Sequence, residues 1–79
     1  MTIENSTLVV PHANGYALRD RNGGAMVTLG KGVTVFTANA NAVYESKLIM
    51  AGETLTAAGT GDVTVGGETY SAMNKWVTP

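Results

Sequence analysis

Chain-breaking residues recur about every ten positions along this sequence, and this spacing constrains the fold more than any other feature. Clusters of Gly, Asn and Asp separate short runs that are rich in β-branched residues, and 10 of the 79 residues are Gly. A long helix does not fit, because each interior Gly costs a helix about 1 kcal/mol relative to Ala. Short strands at this spacing are typical of small sandwiches and barrels. We therefore expect an all-β fold, a small antiparallel sandwich or open barrel of about six or seven short strands.

Two pairs of runs carry local hairpin signals. Tyr16–Arg19 and Ala25–Leu29 flank a turn that contains Asn-Gly-Gly, and Asp62–Val65 and Glu68–Ala72 flank Gly66-Gly67. Such dipeptides tolerate the positive φ angles that tight hairpin turns require. We expect an antiparallel hairpin at each place.

The segment from Val43 to Met50 fits two patterns. As a strand, it places Tyr44 and Leu48 on one face and exposes Glu45 and Lys47 on the other. As a helix, it has an apolar stripe that Lys47 interrupts. We favour the strand because the neighbouring runs are strands, and the helix remains the alternative.

Apolar alternation within the runs predicts which side chains form the core. The predicted core comprises Leu8, Val10, Leu18, Val27, Leu29, Val35, Phe36, Leu48, Leu55, Val63, Val65 and Tyr70.

Charge and composition exclude several classes of function. Five cations and six acids give a net charge of −1, whereas nucleic-acid binding relies on a basic surface. Cys is absent and His12 is the only histidine, which excludes disulfides, thiolate zinc sites and histidine-rich metal sites. We expect no cofactor, no metal and no nucleic-acid partner.

The sequence offers no arrangement typical of a catalytic site. Ser6, Ser46 and Ser71 could serve as nucleophiles beside His12, but none lies in a Gly-x-Ser-x-Gly elbow. Gly30-Lys31-Gly32 lacks the spacing of a phosphate-binding loop. We expect that the protein is not an enzyme.

The length predicts one domain, residues 1–79, with a marginal core. A chain of this size buries only about 60% of its unfolded surface, and small domains without disulfides or metals depend on packing or association. We therefore expect a homo-oligomer or docking on a larger protein.

The two ends are candidate contact arms, residues 1–6 and 74–79. Ile3 is the one strongly apolar side chain of the N-terminal stretch beyond Met1, and Trp76 and Val77 lie where chain ends normally fray. Tryptophan is enriched among residues that dominate binding energy. We identify Ile3, Trp76 and Val77 as candidate partner-binding residues, while docking of Trp76 on its own domain remains open.

These features together resemble the small capsid decoration (cement) proteins of tailed bacteriophages. The chain is short, free of Cys, low in charge and rich in Thr, Gly, Ala and Asn. The resemblance covers the composition of most of the chain and carries no motif, so it assigns no residue a role. It implies a structural protein of the virion, homo-oligomeric, that binds the major capsid protein or another virion protein.

The location expected from the sequence agrees with that resemblance. No run approaches the roughly 18 apolar residues of a membrane span, and the N-terminus lacks the features of a signal peptide. We expect a protein made in the host cytoplasm, without membrane contact. The alternatives are a carbohydrate- or receptor-binding module of a phage tail or fibre, and a small inhibitor of a host protein.

Overall fold

A computed structural model describes residues 1–19, 23–41, 43–44 and 49–79 of the chain. Of residues 43 and 44, only the backbone is described. These residues form strands and turns without a helix, which confirms the all-β prediction. The nine strands are β1 (Thr2–Ile3), β2 (Thr7–Val10), β3 (Leu18–Arg19), β4 (Met26–Leu29), β5 (Thr34–Thr37), β6 (Val43–Tyr44), β7 (Ile49–Gly52), β8 (Thr56–Val65) and β9 (Glu68–Val77).

The strands stack as successive turns of a coil. Sheet A has the order β1-β4-β7, sheet B the order β2-β5-β9-β8, and sheet C the order β3-β6. The pairs β1-β4, β4-β7, β2-β5 and β3-β6 are all parallel. The chain therefore visits sheets A, B and C once, visits them again in the same order, and begins a third turn with β7. This is the topology of a short parallel β-helix.

The corner between sheets A and B is built alike in both turns. Asn5 has a φ of 47° and the corresponding residue of the next turn, Gly32, has a φ of 73°. Asn and Gly are the residues that best tolerate this left-handed conformation. The two corners are joined by hydrogen bonds from the Asn5 amide to the Lys31 carbonyl (2.9 Å) and from the Gly30 amide to the Ile3 carbonyl (2.7 Å). Equivalent backbone shapes thus stack without a visible sequence repeat.

The third turn leaves the coil and ends in a hairpin. β8 and β9 are antiparallel, and Gly66 and Gly67 connect them with φ angles of 60° and 83°. Positive φ at both positions is what a two-residue type I′ turn requires. The hairpin predicted around Gly66-Gly67 is confirmed. Its second strand also pairs antiparallel with β5, where Val35 lies opposite Trp76.

The core consists of two adjoining clusters. Leu18, Val27 and Leu29 form the first, and Val33 and Val35 form the second. Of the predicted core, Leu18, Val27, Leu29, Val35 and Phe36 are buried, while Leu8, Val10, Leu55, Val63 and Tyr70 are half-buried. Val65 is 48% exposed, so its prediction is wrong, and Leu48 lies outside the described residues. Val33 and Met73 are buried and were not predicted.

The antiparallel expectation holds for only part of the fold. The hairpin predicted between Tyr16–Arg19 and Ala25–Leu29 does not form, because β3 pairs with β6 and β4 pairs with β1 and β7. Gly23 and Gly24 have φ angles of 87° and 88°, as their composition suggested, but they lead the chain into the next coil turn. Alternation indicates which side chains of a strand share a face, and it does not determine which other strand pairs with it.

The ambiguous segment from Val43 to Met50 contributes strands at both ends. β6 occupies its beginning and β7 includes its last two residues, and they belong to different sheets. Residues 45–48, which would decide between a continuous strand and a helix, lie outside the described part of the chain.

Candidate interaction surface

The N-terminal segment, proposed from the sequence as an arm, is paired along sheet A. The amino group of Met1 donates to the Met26 carbonyl at 3.2 Å, and the Met1 carbonyl accepts from the Thr28 amide at 2.8 Å. Ile3 is half-buried and packs against both core clusters. The N-terminal segment therefore contributes to the core of its own domain. A partner contact made by Ile3 stays a prediction.

The C-terminal segment is fixed just as firmly. Trp76 is half-buried against the cluster of Val33 and Val35, the same cluster that Ile3 touches. The buried Thr78 hydroxyl donates to the Gly30 carbonyl at 2.9 Å and accepts from the Val33 amide at 3.0 Å.

Val77 lies between two neighbouring strands of sheet B. It is opposite Thr34 of β5 on one side and Thr56 of β8 on the other. The structure thus brings Ile3 and Trp76 to one cluster and places Val77 beside them in the sheet. Packing within the domain is enough to explain why apolar residues stand at these three positions. Binding of a partner through Trp76 or Val77 stays a prediction.

The outer half of the β8–β9 hairpin extends past the body. β5 pairs with β9 only from Asn74 to Val77, so the ten-residue strand continues for six residues without a third strand among the described residues. Along this ribbon Val63 lies opposite Tyr70 and Val65 lies opposite Glu68, on one face. We call residues 62–72 the ribbon; Met73, at its base, is buried. A two-stranded ribbon is marginally stable alone in water, so it is a natural contact element.

A β-bulge shapes the base of the ribbon. The register between β8 and β9 shifts between Gly61 and Val63, and Ala72 has a φ of 52°. The Asp62 carboxylate accepts a hydrogen bond from the Ala72 amide at 2.8 Å. This bond satisfies an N–H group at the place where the shift in register disrupts the ladder. Farther out, the Thr64 and Thr69 hydroxyls are 3.0 Å apart and hydrogen-bonded.

The segment from residue 53 to 74, which includes the ribbon, differs in charge from the rest of the chain. It contains Glu53, Asp62 and Glu68 and no Lys or Arg, and the nearest cation is Lys75, in the part of β9 that pairs with β5. The formal charge is therefore −3 on this segment and +2 on the remainder, which together give the net −1. Such an asymmetry favours contact between the ribbon and a basic surface.

Sheet A carries exposed apolar side chains on both of its faces. Among the described residues, Met26 is 53% exposed and Ile49 is 48% exposed, and they lie directly opposite each other in the parallel ladder. Met50, at 36%, lies opposite the buried Val27 and therefore on the other face, and Met1, at 79%, precedes the first strand of the sheet. These side chains do not form one continuous patch.

The remaining candidate groups lie at separate places. His12 is exposed in a turn, where its Nδ1 accepts from the Asn14 amide at 3.1 Å. Within the described residues, no three His, Cys, Asp or Glu side chains lie close enough to hold a metal ion. No helix in that same part of the chain is long and apolar enough to cross a membrane.

The aromatic side chains provide no exposed platform among the described residues. Phe36 is buried, and Tyr16, Tyr70 and Trp76 are each half-buried. The Lys75 ammonium lies 5.8 Å from the centre of the Phe36 ring, a cation–π contact that covers one face of that ring. Stacking of a sugar or base would need exposed rings, so these four residues do not favour the carbohydrate-binding alternative.

Comparisons with known proteins give no family or relative. No protein-family model matches the chain, and no curated protein or solved structure is significantly similar to it.

Sequence reasoning predicted the hairpin and missed that its outer half forms the ribbon. The ribbon depends on where β9 extends past the end of β5. Apart from the hairpin turn itself, the sequence signal for the ribbon was the long stretch from residue 53 to 74 without a cation.

Proposed function

We propose that this protein is a non-enzymatic structural protein that binds and reinforces a larger assembly. The assembly we propose is a viral capsid, and the role is that of a capsid decoration protein. The observation that carries the proposal is the ribbon, a two-stranded extension that a compact coil holds out into solvent. Both chain ends are hydrogen-bonded into the sheets, so the ribbon extends from a well-anchored body. Such a body does not have to order itself again when it binds.

The ribbon supplies an apolar contact of moderate strength. Full burial of a Val side chain contributes about 1.5–3 kcal/mol, and Val65 is still 48% exposed. Covering it therefore gains about 1 kcal/mol, with further gains from the half-buried Val63 and Tyr70 on the same face. Contacts of this size hold a small protein in place when they are repeated across many copies on one particle.

The negative charge of the ribbon indicates which kind of partner surface it can contact. Asp62 and Glu68 are both exposed, and no cation lies between residues 53 and 74. The proposed partner, a major capsid protein or another virion protein, would present Lys or Arg around an apolar strip. Attachment would then weaken as the salt concentration rises, because exposed charges are screened within about 10 Å at 0.1 M salt.

The test is to find where the protein resides. Particles from cells or lysates that carry its gene are separated on a density gradient, and quantitative mass spectrometry measures the chain in each fraction. The proposal expects the chain to sediment with virions at a fixed ratio to the major capsid protein and to leave the particles at high salt. A chain confined to the soluble fractions of a lysate rich in virions refutes the proposal.

A further inference from the structure

The ribbon part of β9 has one edge beside which no described strand lies. Sheet B places β9 between β5 and β8, but β5 pairs with it only as far as Thr37 opposite Asn74. There β5 ends, the chain bends at residues 38–40, and the Asn74 side chain donates to the Asn39 carbonyl at 3.0 Å. A strand that continued the line of β5 would therefore run along this edge. We call the edge of β9 at residues 68–71 the ribbon edge.

The backbone groups of Thr69 and Ser71 point to the ribbon edge. Gly66-Gly67 is a two-residue turn, so the pair of residues that flanks it exchanges both backbone hydrogen bonds. The next pair, Thr64 and Thr69, is then a non-hydrogen-bonded pair. The 3.0 Å between their hydroxyls agrees with this, because side chains lie closer in such pairs. The N–H and C=O of Thr69, and by alternation those of Ser71, therefore face away from β8.

The other edge of the ribbon, on β8, is less suited to pairing. Two shifts in register interrupt β8 between Ala57 and Val63, and irregularities of this kind protect an edge from strand addition. Between the second shift and the turn, Thr64 is the one residue of β8 whose backbone groups point outward. The ribbon edge offers two such residues, and it lies in line with an existing strand of the sheet.

The side chains along the ribbon edge indicate which kind of strand fits there. Glu68 and Tyr70 lie on one face, and the hydroxyls of Thr69 and Ser71 lie on the other. Lys is a frequent guard of exposed edges, but residues 53–74 contain no Lys or Arg. Opposite charges stabilise a cross-strand pair and like charges destabilise it. The matching strand therefore carries an apolar residue beside Tyr70 and a cation beside Glu68.

We propose that the ribbon binds its partner by strand addition at the ribbon edge. An extended segment of the partner pairs antiparallel with residues 68–71, in the direction of β5, and carries a Lys or Arg two residues after an apolar residue. The N–H and C=O groups of Thr69 and Ser71 then gain partners. The inference rests on the proposed function, to which it adds the mode of binding and the chemistry of the partner segment.

The short length of the ribbon edge predicts weak binding by a single copy. The hydrogen bonds to two residues and one charge pair have to offset the ordering of the added segment. We expect a dissociation constant on the order of 100 µM for an isolated peptide. Many copies attached to one particle would raise the apparent affinity without any new contact.

The first experiment removes one backbone donor from the ribbon edge. The probe is a capped synthetic peptide with the core Thr-Ile-Thr-Lys, titrated into the full chain by isothermal calorimetry. Thr69→Pro deletes an N–H group that faces the edge, a position where a strand tolerates Pro, and should weaken binding at least about tenfold. The control is Thr64→Pro, which loses the same hydroxyl contact but deletes an N–H group facing the opposite edge. It should bind the peptide as the wild type does.

The second experiment reverses a charge and leaves the backbone unchanged. The wild type should prefer the Lys peptide to a matched peptide with Glu in its place, and Glu68→Lys should reverse that preference. The control is Glu4→Lys, which makes the same change in net charge at an exposed residue of the first coil turn and should keep the wild-type preference. Circular dichroism and thermal unfolding of every variant verify that the fold is retained.

The outcomes separate this inference from the proposed function. Equal binding of the Lys peptide by Thr69→Pro and Thr64→Pro, an unchanged preference in Glu68→Lys, or no binding by the wild type at about 1 mM peptide overturns strand addition. If the chain still sediments with virions, the proposed function stands without it. Binding that follows both expected patterns supports strand addition, even if the chain is absent from virions and the proposed function fails.

Discussion

The hydroxyl of Thr78 is expected to stabilise the whole fold, although it lies one residue from the end of the described chain. Thr78 is 8% exposed, and its hydroxyl joins the Gly30 carbonyl to the Val33 amide. Thr78→Val keeps the shape of the side chain and removes both hydrogen bonds. It leaves the amide of Val33, itself 1% exposed, without a partner.

The magnitude follows from the burial of that amide. An unsatisfied buried donor costs about 1–3 kcal/mol, and a carbonyl that loses its partner adds to the cost. We expect Thr78→Val to lower the free energy of unfolding by about 2–3 kcal/mol. For a domain of this length, each kcal/mol shifts the melting temperature by roughly 4–8 °C, so the loss should be about 10–20 °C.

The matched control is Thr78→Ser, which retains the hydroxyl and loses one methyl group. Its expected cost is about 0.8 kcal/mol. The assay is thermal and urea unfolding of both variants, followed by circular dichroism. If Thr78→Val proves as stable as Thr78→Ser or more so, the hydroxyl bridge does not stabilise the fold, and the reasoning that assigns the C-terminal segment to the core is refuted.

Three further predictions concern the turns and the ribbon. Gly52→Ala should lower the free energy of unfolding by at least about 3 kcal/mol, because the new Cβ would collide with the Leu29 carbonyl and a φ of 82° is strained for Ala. The control is Gly59→Ala, where φ is 79° but the space around the new Cβ is open. In urea unfolding it should cost only about 1–2 kcal/mol. Asp62→Ala should raise the hydrogen-exchange rate of the Ala72 amide while exchange in sheet A is unchanged, and an unaltered rate would contradict the bulge contact. Val65→Ala should change the free energy of unfolding by less than about 0.5 kcal/mol and reduce the occupancy of the protein on virions; full occupancy would exclude Val65 from the contact.

Local chemistry explains the part of the fold that the sequence could predict. The alternation of Val63 and Val65 with polar residues, and the two glycines that follow, specify a hairpin within the eleven residues from Asp62 to Ala72. The all-β class follows from many such short signals. Each depends only on neighbours in sequence, so one sequence suffices to detect it.

The coil could not be predicted because its repeat is one of backbone shape. Thr2 lies opposite Thr28 and Met26 lies opposite Ile49, separations of 26 and 23 residues that differ from turn to turn. Most stacked positions differ in residue type, as Val9 opposite Phe36 and Leu29 opposite Gly52 show, and the equivalent corner residues are Asn5 and Gly32. With only two turns, a periodic signal of that kind is hard to distinguish from matches that the composition alone would produce.

The candidate site was partly misplaced for a related reason. Trp76 near a chain end indicated a docked segment, and it is docked, on the cluster of Val33 and Val35 within its own domain. Sequence alone could not choose between that cluster and a partner. Val65 was assigned to the core because alternation reports a shared face, and it does not report whether anything covers that face.

The ribbon arises from a change of direction at Gly52. Beyond β7 the chain leaves the coil and supplies sheet B with β9, a ten-residue strand set against the four residues of β5. The strand covers β5 completely. Of its remaining six residues, Met73 is buried and the other five form one side of the ribbon. A third turn that followed the first two would have given sheet B a short strand in place of this hairpin, and the ribbon would not exist. Substitutions that restore a regular corner at Gly52 are therefore expected to remove the ribbon and, with it, the proposed contact with a partner.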